Sequence, residues 1–549
     1  MNIESLEWTS TQPIAEHYLR SFDKVEPLYE YAPFAEESWT RRAEWLDRTS
    51  QKPGYRVERS RLVEALLQFH ERIDGDEASA RSIRSLADPR TLTIVGGQQA
   101  GLLTGQLLVI YKAVTLLQTA RQAEQELGRP VVPVFWIAGE DHDFDEVNHI
   151  VQLSNDLQQE KLKLDHPNGR RNAVSRLPIS AEAWSQLLGQ LDSSLMQTEF
   201  KADLMAKLHE IAAKSLTMVD FFARMLVWLF RDTGLILMDS DDLTIRELEG
   251  PMFETLIARH VDIQKRVEES AERVRELGYT PQHELQPNMA NLFVFDEGER
   301  VLLYADRSNE DGFTDRRGTR KYSRMKLMDW AKSSPDRLSN NVMTRPLMQD
   351  YLFPVLGAVL GPGEIAYWGL TRESFRELGM QMPILVPRLE FSLVEGTIAK
   401  NMLKYGLIFD DVIHRLEQRK QEWLAGQDTL HLDERFRQVK EQFRESYASI
   451  LETIATINPG LKKLGDTNMT KIIEQIDFLE QKAADGYRTQ FDSSLRHWNR
   501  IGLSLLPGGR PQERVYNVVV FLNKYGSDWI GKLLESPIAP DGNHRIVYM

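Results

Sequence analysis

The chain has 549 residues, enough for more than one hydrophobic core, and its 42% hydrophobic and 27% charged content is that of an ordinary globular protein. A formal net charge of −14 argues against nucleic acid as the main partner, and the absence of cysteine excludes disulfides and thiolate zinc sites. No run approaches the ~18 apolar residues of a membrane span and the start at Met1–Ser5 lacks the regions of a secretion signal, so a cytoplasmic protein without membrane contact is expected.

Residues 1–85 read as a polar helical segment, with Val57, Leu62, Val63, Leu66, Leu67 and Ile73 forming an amphipathic stripe. The rhythm then changes. Thr91–Val95 is a short β-branched run that ends in Gly96-Gly97-Gln98-Gln99-Ala100-Gly101, followed by a helix with Leu103, Leu107, Ile110, Tyr111, Val114 and Leu117 on its apolar side. Val131–Ala138 is apolar on both faces, as a buried parallel strand should be, and strand, helix and strand together make a βαβ unit. Gly234–Asp239 is another buried strand, with a carboxylate at its C-terminal end. Leu292–Phe295 and Val301–Ala305 flank Glu297-Gly298 and predict a hairpin. Phe353–Leu360 leads into Gly361-Pro362-Gly363 and a helix near Glu364, and Met382–Val386 gives one more strand.

Strands alternating with helices predict an α/β fold, a doubly wound parallel sheet over residues 86–390 with inserted segments at 155–231 and 280–340. Over 391–500 the strands disappear. Leu432, Phe436, Val439, Phe443, Tyr447, Ile450, Ile454 and Ile457, then Ile472 through Leu495 beyond Pro459-Gly460, are spaced by threes and fours. This pattern predicts an antiparallel coiled-coil arm, whose charged flanks suit pairing with another subunit. Residues 501–549 hold turn chemistry and a last helix, and are expected to return to the core.

Three constellations could carry chemistry. In Gly96–Gly105 the glycines permit close backbone approach, and a helix N-terminus would offer N–H groups to an anion. The pattern matches neither standard nucleotide fingerprint. Gly97, Gln98, Gln99 and Gly101 are the candidate substrate-binding residues, with a packing turn as the alternative. Lys112, roughly three helical turns along, joins them unless it is a surface lysine. The second constellation, Gly139–His149, holds five carboxylates and two histidines at the C-terminal edge of a strand, where ligands sit in open parallel sheets. It could hold a divalent metal, orient an amine or supply a general base, with Glu140, Asp141 and His142 as the catalytic candidates; acidic capping of a helix is the alternative. Its spacing fits no strong metal motif. In the third, Arg345 could clamp a carboxylate, and Gly363 and Glu364 present a helix start at a strand end, while Tyr367 and Trp368 are expected to pack in the core.

The segments GGQQAGLLTG with Tyr111-Lys112, VPVFWIAGEDHDFDEVNH, NNVMTRPLMQDYLFP, LGPGEIAYW and LPGGRPQER together resemble the bacillithiol biosynthesis cysteine-adding enzyme family, BshC. The resemblance implies a Rossmann-like core related to class I aminoacyl-tRNA synthetases, with connecting insertions and a coiled-coil arm used for homodimerisation. It implies a ligase that joins cysteine to glucosaminyl-malate at the sugar amine, with ATP as the economical source of carboxylate activation and no metal assigned. No HIGH tetrapeptide is present, its place being taken by Gln98–Gly101, and Lys321–Lys326 resembles KMSKS only superficially. Two places for ATP stay open: the synthetase-like cleft, and a pocket near Gln512, Arg514 and Asn517. The alternatives are a non-catalytic nucleotide- or metabolite-binding assembly component and a nucleotidyltransferase with a similar core.

Overall fold

The computed structural model describes residues 1–50, 52, 54–154, 157–282, 286–306, 311–427 and 431–549. The chain forms two compact units, Met1–Ser392 with Gln512–Val547, and Leu393–Pro511 with Tyr548–Met549.

The first unit is built on a five-stranded sheet of β1 (Leu92–Gln98), β2 (Val131–Ile137), β3 (Ile236–Asp239), β4 (Val355–Leu360) and β5 (Ile384–Pro387). The order is β5-β4-β1-β2-β3 and every pairing is parallel. All residues of β2 to β5 are buried, which explains why their sequences are apolar without alternation. From β1 the chain builds outward through β2 and β3, then crosses back to lay β4 against the other side of β1. The strand order therefore reverses between β1 and β4, and in open α/β sheets the ligand crevice lies beyond the C-terminal strand ends at such a point.

Helix α1 (Leu108–Leu127) connects β1 to β2 and stops at Gly128, whose φ of 59° gives the left-handed cap. Around the crevice, α2 (Leu243–Ala258) follows β3, α3 (Arg345–Leu352) precedes β4, and α4 (Pro362–Trp368) follows it. The expected hairpin is present: strands Met289–Asp296 and Glu299–Ala305 pair antiparallel around Glu297 and Gly298, at φ 51° and 82°. Two consecutive left-handed residues match the twist of the flanking strands.

One expectation about β1 is corrected. Gly96 and Gly97 lie inside the strand, paired with Phe135 and Trp136, and α1 begins only at Leu108. A Cβ on Gly96 would lie 3.1 Å from Val359 O, and one on Gly97 3.1 Å from Trp136 O. These glycines admit the neighbouring strands, and they do not form a strand-to-helix turn.

Residues 1–85 hold the helices Pro13–Arg20, Glu36–Ser50, Arg59–Arg72 and Glu77–Ser85, preceded by a strand at Asn2–Leu6 that the helical reading misses. Their apolar residues, among them Tyr18, Leu62, Leu66 and Ile83, share one core with Val95, Val134 and Ile236 of the sheet. A buried polar node ties the same segment to β4. Arg42, fully buried, donates to Val355 O at 2.9 Å, Gln381 O at 2.7 Å and Asp350 Oδ1 at 2.6 Å, while Arg56 reaches Asp350 Oδ2 at 3.0 Å.

In the second unit α5 (Leu432–Ile457) and α6 (Pro459–Thr489) fold back on each other as predicted, with Pro459 opening α6. Lys440 Nζ bridges Asp477 at 2.9 Å and Glu480 at 2.6 Å, and Tyr447 donates to Asn468 at 2.6 Å. Leu451 packs so closely over Gly465 that a Cβ there would lie 2.0 Å from it. Among the described residues no helix is long and apolar enough to cross a membrane.

Removing Asp350 leaves the Arg42 guanidinium buried without its anion. Asp350→Ala is expected to destabilise the first unit by about 3–5 kcal/mol, and Arg42→Met with Asp350→Leu by less. Urea unfolding of the three proteins tests this; an Asp350→Ala midpoint equal to wild type refutes the role of the pair.

Candidate active site

The crevice between β1 and β4 is closed at its base by a lysine. Lys112 faces the sheet from the first turns of α1 and is 1% exposed. Its ammonium donates to Gly97 O at 2.7 Å, Gln98 Oε1 at 3.2 Å and Glu364 Oε2 at 2.7 Å. Burial holds the ammonium below its ordinary pKa, against the opposing pull of Glu364. Glu364 Oε2 also accepts from the Gly361 N–H at 2.8 Å, which caps α4. Lys112 is thus not a surface residue, and as a substrate ligand it has no N–H left to offer. It clasps the ends of the two strands. Beside this clasp, a Cβ on Gly363 would lie 3.1 Å from Gln282 Nε2.

The segment after β1 is closed as well. Leu102, Leu103 and Thr104 are buried, and a Cβ on Gly101 would lie 2.7 Å from Gly105 Cα. Gly101 is therefore required by backbone-to-backbone contact. Asn517 Nδ2 donates to Leu103 O at 2.9 Å and to Gly105 O, and its Oδ1 accepts from Val519 N at 2.9 Å. The amide expected to bind a cofactor instead struts this loop and caps the helix Val518–Tyr525. The anion cradle expected at Gly97–Gly101 is corrected for the same reason: its backbone serves the sheet, the clasp and this packing. Gln512 is buried, and Arg514 acts on Glu390. Between them Glu513 takes a two-pronged ion pair from Arg388, at 2.5 and 2.9 Å. Burial and the neighbouring Glu513 push the Glu390 carboxyl up to about 7, against Arg388 and Arg514.

Beyond β2 the acidic cluster splits. Asp145 and Glu146 sit in the first turn of the short helix Phe144–Val147, as capping predicts, while Glu140, Asp141 and His142 turn inward. Glu140 is 1% exposed and lies 3.5 Å from both Arg246 and Arg345. Arg246, on α2, also donates to Glu249 at 2.7 Å. Asp239 ends β3, where burial and the adjacent Asp241 push its carboxyl far above the usual range. A Cβ on Gly139 would collide with Asp239 Oδ1, so a side chain there would have to displace that buried carboxyl.

Asp141 accepts from Gln99 Nε2 at 2.7 Å and from the His142 N–H at 2.7 Å, with Arg300 at 3.5 Å. Burial alone would raise its carboxyl, but Arg300, the Gln99 bond and Arg345 outweigh this and hold it below the ordinary value. His142 has Arg300 Nη1 at 3.3 Å from Nδ1 and the Arg171 guanidinium on Nε2. Burial, then Arg300 and Arg171, depress its pKa below that of a free imidazole, so the ring is neutral at pH 7.

Arg345 opens α3 with its side chain 21% exposed. Its Nε is buried without a hydrogen-bond partner, and its nearest anion is Glu140. Burial works against its charge, and Glu140, Tyr367, Asp141 and Glu364 together restore it. This guanidinium therefore lies between the acidic cluster and the clasp with donors to spare. Among the described residues, no three His, Asp or Glu side chains are grouped to hold a metal ion.

The structure thus brings together Gln98, Gln99, Lys112, Glu140, Asp141, His142, Arg345 and Glu364. Sequence reasoning missed Arg171, Arg246, Arg300, Arg388, Glu390 and Glu513. Arg388 could have been found, since it directly follows the last residue of β5 at the edge where ligands bind. Arg171 and Arg300 carry no such signal.

Two family models cover the chain. The N-terminal Rossmann-like domain of bacillithiol biosynthesis BshC matches residues 1–389, and the C-terminal coiled-coil domain of BshC matches residues 391–549. Relatives named "Putative cysteine ligase BshC" are similar from end to end. One from Geobacillus sp. (strain WCH70) is 36% identical over 550 residues, covering 100% of both chains. One from Symbiobacterium thermophilum is 36% identical over 545 residues, covering 97% of each, and one from Geobacillus thermodenitrificans is 37% identical over 552 residues, covering 100% of each. Similarity of this extent, carried through the Rossmann-like sheet and the coiled-coil arm alike, places the chain in the BshC family.

Proposed function

We propose that the chain is a carbon–nitrogen bond-forming ligase that adds L-cysteine to glucosaminyl-malate, completing bacillithiol. The observation that carries this reading is the undersaturated Arg345 guanidinium beside the Asp141–His142 pair, at the strand-order reversal of a chain similar throughout to proteins named cysteine ligases. Arg345 suits a substrate carboxylate, because a guanidinium fork takes it by two parallel bonds. His142, neutral and held by fixed neighbours, suits acceptance of a proton from the sugar ammonium, and Asp141 stabilises the imidazolium that results. Glu140, pinned between Arg246 and Arg345, orients the clamp.

A free carboxylate and an amine do not condense in water without activation, and ATP is the proposed source. Asn517 and the loop at Gly101 do not fit its phosphates, since their polar groups are already bonded. Pairing of two chains through the arm is proposed as well, supported by the exposed Val439, Ile450, Ile457, Leu464 and Phe478.

Incubation with cysteine, glucosaminyl-malate and ATP is expected to yield the amide. No product unless a cell extract is added would favour an assembly component, and pyrophosphate release without cysteine a nucleotidyltransferase. Arg345→Ala is expected to lower kcat/KM by about 10- to 150-fold, the loss of hydrogen bonds to a charged group. Arg345→Lys should not rescue it, since the fork is lost; a fully active lysine variant refutes the clamp.

His142→Asn is expected to lower kcat by roughly 10²- to 10⁴-fold with the fold intact. A base works above its pKa, and the His142 pKa is depressed, so the acid limb of kcat/KM should fall below the ordinary imidazole value of 6.5. An acid limb above 6.5, or one that persists in His142→Asn, would remove this residue from the reaction.

A further inference from the structure

The segment carrying Arg171 is tied down everywhere except at that side chain. Asn172 Nδ2 donates to Gly298 O at 2.6 Å, Val174 N to Asp141 O at 2.8 Å, and Ser175 N to Gly139 O at 3.0 Å. Arg176 grips both oxygens of Asp241 at 2.7 Å, and the Arg171 carbonyl accepts from Arg300 N at 2.9 Å. The backbone is a fixed strap over the Glu140–His142 turn. The Arg171 side chain is exposed, and among the described residues its guanidinium has one hydrogen-bond partner, His142 Nε2.

Asp141 Oδ1 is 3.7 Å from Nδ1 and Asp143 Oδ1 is 3.7 Å from Nε2. Arg300 is immobilised by Ser339 Oγ at 3.1 Å, Asn340 O at 2.7 Å and the Phe293 ring at 3.9 Å. Of the two guanidiniums only Arg171 is free to leave. With its proton on Nδ1, the side of Asp141, the neutral imidazole has its one lone pair on Nε2, and a guanidinium resting there both covers it and opposes its protonation. A carboxylate is a stronger partner for that guanidinium than a neutral ring nitrogen, because the bond becomes charge-assisted at both ends and two-pronged.

We propose that Arg171 is a specificity-determining residue: the malyl carboxylate of the acceptor draws its guanidinium off His142 Nε2, and this unmasks the base only when the anionic substrate is present. The inference rests on the ligase reading for the identity of that acceptor. The step it controls is a proton transfer. The sugar ammonium gives one proton to Nε2, leaving a neutral amine with its lone pair free and an imidazolium between Asp141 and Asp143.

The test follows the imidazole signals of the full chain, labelled at histidine, with the His142 signal assigned by its loss in His142→Asn. Malate is expected to raise the His142 pKa in the wild type. Arg171→Gln should raise it without malate and abolish the response, since the acid-opposing charge is gone; Arg171→Lys should respond weakly. In turnover, Arg171→Gln should raise KM for glucosaminyl-malate about tenfold or more while KM for cysteine stays the same. Identical His142 titrations in wild type and Arg171→Gln, with no malate response, would overturn the proposal even if the wild type forms amide. A malate-dependent shift in a chain that forms none would retain the coupling and discard the ligase reading.

Discussion

Much of the site depends on one buried ammonium. Lys112 is fixed on a helix that packs on the sheet, so its charge cannot reach water and must be met where it lies. An unpaired buried cation costs several kcal/mol, more than most single contacts contribute. Gly97 O, Gln98 Oε1 and Glu364 Oε2 satisfy it, and these belong to the ends of β1 and the start of α4. The requirement to satisfy Lys112 therefore ties the end of β1 to the start of α4 where the strand order reverses. The crevice is defined by a constraint that has no direct part in binding.

The charges around this clasp form an alternating chain. Glu249, Arg246, Glu140 and Arg345 follow one another, each cation between carboxylates or beside one. Glu140 is shared, with 3.5 Å to each arginine, so it neutralises neither fully. Such sharing leaves Arg345 positively charged and short of hydrogen bonds on a side chain that solvent still reaches. The deficit could be relieved by a better-fitting anion. Fixed charges of this kind act without reorganisation, which is what makes a buried array more effective than the same groups in water.

The sheet was legible because of where it sits. Strands buried on both faces must be apolar at every position, and Val131–Ile137 and Val355–Leu360 are. The arm was legible because spacing by threes and fours persists from Leu432 to Leu495, and the hairpin because Glu297-Gly298 suits two left-handed residues. Glycine was less readable. It marks turns and close approaches alike, and only the carbonyls of Val359 and Trp136 at 3.1 Å show that Gly96 and Gly97 are the second kind. Lys112 misled for a related reason: a lysine on a helix normally faces solvent, and the acceptor that keeps it buried lies 252 residues away. The Asp141–His142 pair could be found from its strand end, but the two arginines that set its electrostatics could not. They lie 29 and 158 residues from His142, on a strap and a hairpin strand with no periodicity pointing at it.

Those distant contributions change what the acidic turn can be. Read alone, Glu140-Asp141-His142 offers three bases of ordinary strength. In place, Glu140 lies 3.5 Å from each of two arginines, Asp141 is lowered by Arg300, and His142 is lowered by burial and two guanidiniums. Neither Asp141 nor His142 is a strong base while those cations stay where they are. Arg246 and Arg300 are buried and bonded, so their effect is permanent. Arg171, exposed and held only through His142 Nε2 among the described residues, is not fixed in that way. A gain in basicity at this turn therefore calls for an anion that engages Arg345 or Arg171, the two cations of the site that are not fully buried.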